Sequence, residues 1–210
     1  MMMTCLASGL SMRLALHIAN GAAGIVVSKV GTYPIHRSEL LDLWHSYNHS
    51  VQSKPLYTKE EMKQLIAQWQ NKGETVVFTN GCFDILHRGH ITYLQEAAQL
   101  GDHLIIGLNS DDSVRRLKGE TRPIVREEDR AALLSALRCI DGVVLFEEDT
   151  PAELLAYLRP NTLVKGGDYK KEDIVGRESV DEVEVLSFKE GYSTSDIVKK
   201  IATMAKEGKL

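Results

Sequence analysis

Residues 81–90, Gly81-Cys82-Phe83-Asp84-Ile85-Leu86-His87-Arg88-Gly89-His90, follow an apolar run, Thr75-Val76-Val77-Phe78-Thr79, and precede a helical pattern that continues from Ile91 to Leu100. The run has the length and β-branched content of a buried strand, so the ten residues form a strand-to-helix junction. Gly81 permits a tight turn there, and Gly89 removes a side chain where the helix begins. A helix start presents unpaired N–H groups and a partial positive charge, which favours phosphate. Two imidazoles three residues apart in the first turn lie on one side and can both donate to phosphate oxygens. Asp84, in the same loop, is placed to hold a metal ion or to orient a partner. Two plainer readings stand beside this one. His87 and His90 can be a metal pair, for which no third ligand sits at metal spacing nearby, or ordinary surface histidines. Phe83, Ile85 and Leu86 read as packing residues.

Outward from this junction the chain alternates regularly. Strand-like runs fall at Thr75–Thr79, His103–Asn109, Gly142–Phe146, Thr162–Val164 and Val183–Ser187. Helical patterns fall at Gly89–Leu100, Asp111–Leu117, Arg126–Leu137, Pro151–Leu158 and Ser193–Ala205. Strands alternating with helices predict an α/β fold, a Rossmann-like parallel five-stranded sheet with helices on both faces. In such sheets ligands collect at the carboxyl ends of the strands, where the crossover direction changes. Local stop and start signals support the pattern. Thr58 with Glu61 predicts a capping box opening a helix over Thr58–Lys72, and Thr150-Pro151 with Glu153 predicts another start. Both Ser193 and Thr194 are suitable N-caps for the last helix, with Asp196 in its first turn.

Residues 1–57 stand outside this rhythm. Arg13–Gly24 reads as an Ala-rich helix, followed by Ile25-Val26-Val27 and a turn near Gly31; Ser38–Tyr47 reads as a second short helix and Asn48–Pro55 as a linker. The expected organisation is therefore a small, mainly helical segment over 1–57 and a larger domain over 58–210.

The 210 residues carry 25 Lys and Arg against 29 Asp and Glu, a net charge of −4. That balance argues against a nucleic-acid partner, which selects a basic face. Three scattered cysteines, Cys5, Cys82 and Cys139, make no CxxC pair and suggest neither a disulfide framework nor a zinc cluster. No apolar run reaches the roughly 18 residues of a membrane span, and the start lacks a basic region ahead of an apolar one. A cytoplasmic chain with no membrane partner is the expectation.

The pattern Gly-x-Phe-Asp-x-x-His-x-Gly-His resembles the signature of the cytidylyltransferase-like nucleotidyltransferases, a Rossmann-like group. The resemblance runs from about Thr75 to Ile201 and includes Gly191-Tyr192-Ser193-Thr194-Ser195, similar to the family's C-terminal G-x-S-T-[ST] element. Within the family, the series Asn109-Ser110-Asp111, Arg115-Arg116-Leu117-Lys118-Gly119, Arg122-Pro123-Ile124, Asp149-Thr150-Pro151 and Leu163-Val164-Lys165-Gly166-Gly167-Asp168-Tyr169 resembles the adenylyltransferase domains of bacterial ADP-heptose synthases. One departure is a short acidic stretch, residues 177–185 (RESVDEVEV), where many members carry a longer loop with paired glycines. Residues 10–45 also resemble the closing segment of a ribokinase-like sugar kinase. The kinase's Gly-Ala-Gly-Asp element is absent, so no kinase activity is expected.

The resemblance implies transfer of AMP from ATP to D-glycero-D-manno-heptose 1-phosphate, giving ADP-heptose and pyrophosphate for lipopolysaccharide core synthesis. His87, His90 and Lys118 are the implied catalytic residues. Nucleotide contacts are implied at Gly81, Phe83, Asp84, Gly89, Arg130, Gly166, Asp168, Ser193, Thr194 and Ser195, and substrate contacts at Asp111 and Arg122. Mg²⁺ is expected with the ATP, with Asp84 as its one candidate protein ligand, and a homodimer is expected. Each role has a plainer counterpart: a solvated lysine at 118, an Arg130 pair with Glu127 or Glu128, a structural turn at 166–168, and helix capping alone at 193–195. Two other functions stay open, a CTP-dependent cytidylyltransferase for glycerol 3-phosphate or a similar small phosphate, and a non-catalytic nucleotide-binding protein.

Overall fold

A computed structural model of the chain describes residues 1–29, 31–41, 43, 56–167, 169–187 and 193–209. The chain divides into two compact units, Met1–Ser53 and Lys54–Leu210.

In the first unit, helices α1 (Met2–Ala7) and α2 (Met12–Val27) bury Cys5, Leu14, Ala15 and Ile18 among themselves and Leu40. Ser11 caps α2 by accepting from the Leu14 amide at 3.4 Å. The helix therefore runs three residues beyond the expected Gly24 and absorbs Ile25, Val26 and Val27. Of the second expected helix, residues 37–41 and 43 are described and helical, and the expected linker at 48–55 lies outside the described residues.

The second unit opens with α3 (Lys59–Asn71), whose capping box forms as the sequence predicts. Thr58 Oγ1 accepts from the Glu61 amide at 3.1 Å, and the Glu61 carboxylate accepts from the Thr58 amide at 2.9 Å. Then follow β1 (Val76–Gly81), α4 (Arg88–Ala98), β2 (His103–Asn109), α5 (Asp111–Lys118), α6 (Glu127–Ser135), β3 (Gly142–Phe146), α7 (Ala152–Leu158), β4 (Thr162–Gly166), β5 (Glu182–Leu186) and α8 (Thr194–Lys206). The five strands form one parallel sheet in the order β3-β2-β1-β4-β5. Chain direction across the sheet reverses between β1 and β4, which makes that boundary the switch point.

Strand alternation builds two cores. Val76 and Phe78 of β1, Ile105, Val144 and Leu163 face α3 and α7, meeting Met62, Ile66, Trp69, Leu154, Leu155 and Leu158. Val77, Leu104, Ile106, Leu108, Val143 and Val164 face α4 and α6, meeting Leu94, Ala97, Ala131 and Leu134. Asn161 fastens the amino ends of the strands: its Oδ1 accepts from the Val76 amide at 3.0 Å and from Gln70 Nε2 at 3.2 Å.

Two expectations shift. The helix expected from Thr150 begins at Ala152, with Pro151 as its N-cap and no side-chain cap. Thr150 stands one residue outside capping reach. Strands β1 and β4 each run two residues further than their apolar runs, through Gly81 and Gly166, because a neighbouring strand pairs with those polar and glycine positions as well.

Gly101 turns α4 into β2 under a tight constraint. A Cβ there would lie 2.7 Å from Val77 Cγ2 and 2.9 Å from the Thr75 carbonyl oxygen. The backbone oxygen has nowhere to retreat, since it also accepts from the Asp102 and His103 amides. Gly101→Ala is expected to lower stability by about 1–3 kcal/mol, measured as a shift in the urea unfolding midpoint.

Candidate active site

The junction of residues 81–90 lies where the sheet topology puts a ligand, beyond the carboxyl end of β1 beside the switch point. The chain turns sharply there. Phe83 adopts a positive φ of 45°, and its ring folds back so that a Cβ on Gly81 would sit 3.0 Å from Phe83 Cε2. Gly81 is thus the last residue of the strand rather than of the loop, and is glycine because of the ring above it. Phe83 itself is 6% exposed. It packs into the core and edge-on against His90, with ring centroids 5.3 Å apart. Phe83, an implied nucleotide contact, here packs beneath the histidines.

His87 is the N-cap of α4: its Nδ1 accepts from the His90 amide at 3.4 Å. The expectation that both rings simply donate outward is refined by this bond. Acceptance at Nδ1 assigns the His87 proton to Nε2. The His87 and His90 rings stack with centroids 3.8 Å apart and planes within 17°. His90 Nδ1 is buried and finds no hydrogen-bond partner among the described residues. Burial and the neighbouring His87 push the His90 pKa down to about 4, and burial also lowers that of His87. Gly89 lies in the same first turn. The arrangement is a pair of neutral imidazoles at a helix start, where His87 can donate from Nε2 and an arriving phosphate would favour the charged, donating form of His90.

Other implied residues converge on this loop in two ways. Thr194, the first residue of α8, brings its Oγ1 to 3.5 Å from the Ile85 carbonyl, and Ser193 caps the helix by accepting from the Ser195 amide at 3.1 Å. Hydroxyls and helix-start amides of the second motif therefore border the first. Lys118 ends α5, is exposed, and makes no ion pair among the described residues, while Arg115 pairs with Asp112 and Arg116 with Asp149. Its charge reaches the Cys82 thiol, whose pKa burial nonetheless raises. Gly166 ends β4, and Gly167, at a φ of 122°, donates its amide to the Leu186 carbonyl at 2.9 Å. Asp168, Gly191 and Tyr192 lie outside the described residues.

Four implied ligands, Arg130, Asp111, Asp84 and Arg122, are engaged by the chain's own groups. Arg130 is wholly buried. Its Nη1 donates to the Cys82 carbonyl at 2.6 Å, its Nε to the Val125 carbonyl at 3.0 Å, and its Nη2 to Asp111 Oδ1 at 2.7 Å. With these bonds Arg130 is a positioning residue, paired with Asp111 and with neither Glu127 nor Glu128. Glu127 accepts instead from the Asp111 amide at 2.6 Å. Asp84 is likewise turned onto the chain's own donors. Its Oδ2 accepts from Arg122 Nη1 at 2.5 Å, and its Oδ1 from the Ile124 and Val125 amides at 2.7 and 3.0 Å. These bonds do not fit a metal ligand at Asp84, and they commit Arg122 to holding a loop. Among the described residues no cluster of three His, Cys, Asp or Glu side chains could hold a metal.

One charged side chain was given no role by the resemblance, although it lies within the Leu163–Tyr169 series. Lys165, in β4, donates its Nζ to Asn80 Oδ1 of β1, and burial lowers its pKa to about 8.

Removing Arg130 would leave two carbonyls and a carboxylate without their donor. Arg130→Met is expected to cost about 3–5 kcal/mol in urea unfolding, whereas Arg115→Ala, which breaks an exposed pair, leaves the midpoint in place. His90 should stay neutral in an NMR titration until pH falls to about 4. The unfolded chain binds that proton near the ordinary value of about 6.5, so stability falls as pH drops between the two. Saturating pyrophosphate should move the His90 titration upward.

The family model described as cytidylyltransferase-like matches residues 78–200. "Bifunctional protein HldE" of Wolinella succinogenes is 48% identical over 200 residues, covering 93% of this chain and 42% of that protein. The protein of the same name from Campylobacter jejuni is 49% identical over 197 residues, covering 94% and 41%. The chain thus spans about two fifths of the length of these relatives. A solved structure titled as the lipopolysaccharide core biosynthesis protein from Thermoplasma volcanium aligns with a TM-score of 0.49 and 31% identity, over 56% of this chain and all of that one. The family model covers more than half of the chain, and the chain belongs to the cytidylyltransferase-like family of nucleotidyltransferases.

Proposed function

We propose that residues 58–210 transfer AMP from ATP to D-glycero-D-manno-heptose 1-phosphate, releasing pyrophosphate. The observation that carries this reading is the stacked His87–His90 pair at the start of α4, beside the switch point and bordered by Thr194 of the second motif. In the reaction a phosphate oxygen of the sugar 1-phosphate attacks the α-phosphorus of ATP. The new P–O bond forms as the bond to the bridging oxygen of the β-phosphate breaks. The attacking group is already an anion, so no base is required; positioning and charge neutralisation supply the catalysis. His87 Nε2 and a protonated His90 meet the charge that grows on the phosphates, Lys118 closes on it from the end of α5, and Ser193, Thr194 and Ser195 add hydroxyls and amides.

Mg²⁺ in this reading arrives with the triphosphate and is held by its oxygens, which agrees with the engaged Asp84 carboxylate. The choice of heptose rests on the resemblance of the LKG, TRPI, DTP and VKGGDY stretches, together with relatives that bear the HldE name. Residues 1–57 are read as the end of a sugar-kinase segment, and no kinase role is assigned to them. A cytoplasmic homodimer belongs to the same proposal; no helix among the described residues is long and apolar enough to cross a membrane.

Pyrophosphate release should occur with ATP and heptose 1-phosphate in the presence of Mg²⁺, and His90→Ala should slow it by about 100- to 1,000-fold with little change in melting temperature. Release with CTP and glycerol 3-phosphate instead would keep the chemistry and overturn the substrates. Nucleotide binding without release from any pair would mean a binding protein.

A further inference from the structure

We propose that Lys165, presented by Asn80, is a phosphate-binding residue of this site, set across the switch point from the histidine pair; the inference rests on the nucleotidyl-transfer reading above. Alternation along β1 and β4 carries the argument. Thr79 and Val164 belong to the face covered by α4: Thr79 Oγ1 lies 2.6 Å from Tyr93 Oη of that helix, and Tyr93 Oη donates to the Val164 carbonyl at 3.2 Å. The next residue on each strand, Asn80 and Lys165, therefore points to the other face. There the two polar side chains sit at the carboxyl ends of the two strands that flank the switch point, and the Lys165 ammonium donates to Asn80 Oδ1.

Below them on that face the same strands contribute Phe78 and Leu163 to a fully apolar core. A lysine at the top of such a core pays to lose water, and a neutral amide offsets little of that cost. No carboxylate pairs with Lys165 among the described residues, unlike Arg130 and Arg122, each of which has one. Burial alone acts on its titration and lowers it to about 8. A weakly hydrated cation with no counter-ion among the described residues, at the strand ends where the fold collects ligands, is matched by an anion that arrives with the substrate. Two phosphates can supply it, the α-phosphate of the nucleotide and the 1-phosphate of the sugar, and both present the same oxygens.

The test compares the full chain with Lys165→Met, which keeps the length and apolar stem, and Lys165→Arg, which keeps the charge. Binding of α,β-methylene ATP and of heptose 1-phosphate is measured by calorimetry, and pyrophosphate release is followed across pH. For Lys165→Met we expect an unchanged melting temperature, about 10- to 100-fold weaker binding of one of the two ligands, and about 100-fold slower release. The ligand that weakens identifies which phosphate Lys165 holds. Wild-type release should decline as pH rises through about 8, where the ammonium loses its proton, and Lys165→Arg should remove that decline. A merely structural lysine would not produce this pH effect. Both ligands binding Lys165→Met as tightly as wild type would overturn the proposal, as would a decline retained in Lys165→Arg. If wild type released no pyrophosphate yet bound a ligand that Lys165→Met bound weakly, the reaction would fall and the role of Lys165 would stand. A wild type that bound neither ligand would overturn both.

Discussion

The Arg130 guanidinium is the constraint around which the site is organised. It lies inside the protein with no exposed surface and spends its donors on the motif loop at Cys82, the loop before α6 at Val125, and the start of α5 at Asp111. A buried cation is tolerated only when its donors are satisfied and a counter-charge is at hand, and here both conditions are met by segments that must stay together for the site to exist. The Asp84 carboxylate extends the same network, drawing Arg122 and the Ile124 and Val125 amides to the motif loop. Three stretches of chain distant in sequence, at 82–84, 111 and 122–130, are thus pinned by two ion pairs.

This frame explains why the motif loop can hold a strained backbone. Phe83 at a φ of 45° costs about 1–3 kcal/mol, and its buried ring supports His90 from below. His87 spends one ring nitrogen on capping α4, which orients the other. His90 is kept neutral by its surroundings. The histidines are therefore poised for an anion and carry little charge without one, an arrangement that couples phosphate arrival to proton uptake. Lys165 across the strand ends has the opposite character, a cation already present and short of a partner.

Much of this was legible in the residues. The parallel sheet follows from five apolar runs separated by helical patterns, and each run falls within a residue or two of an observed strand. The ten-residue strand-to-helix junction, with His87 and His90 in the first turn of α4, follows from glycine, histidine and helix-start physics. The capping box at Thr58 forms because both of its partners are local. What the residues did not show is direction. Arg130, Asp111, Arg122 and Asp84 carry the charges expected of ligands, and a sequence gives a charge no orientation. Apart from Val125, five residues from Arg130, their partners lie 16 to 48 residues away along the chain. The start of α7 moved for a smaller reason, since Pro151 itself occupies the cap.

What the sequence by itself determined about this protein is its fold class, the place of the histidine pair at the strand-to-helix junction and the family to which it belongs, because periodicity, glycine positions and the histidine spacing are local properties of the chain. What only the tertiary structure decided is which charged side chains face a ligand and which hold the loops that carry it. Lys165 and Asn80 show why: each is an unremarked residue in its own strand, and they meet only because β1 and β4, more than eighty residues apart, lie side by side in the sheet.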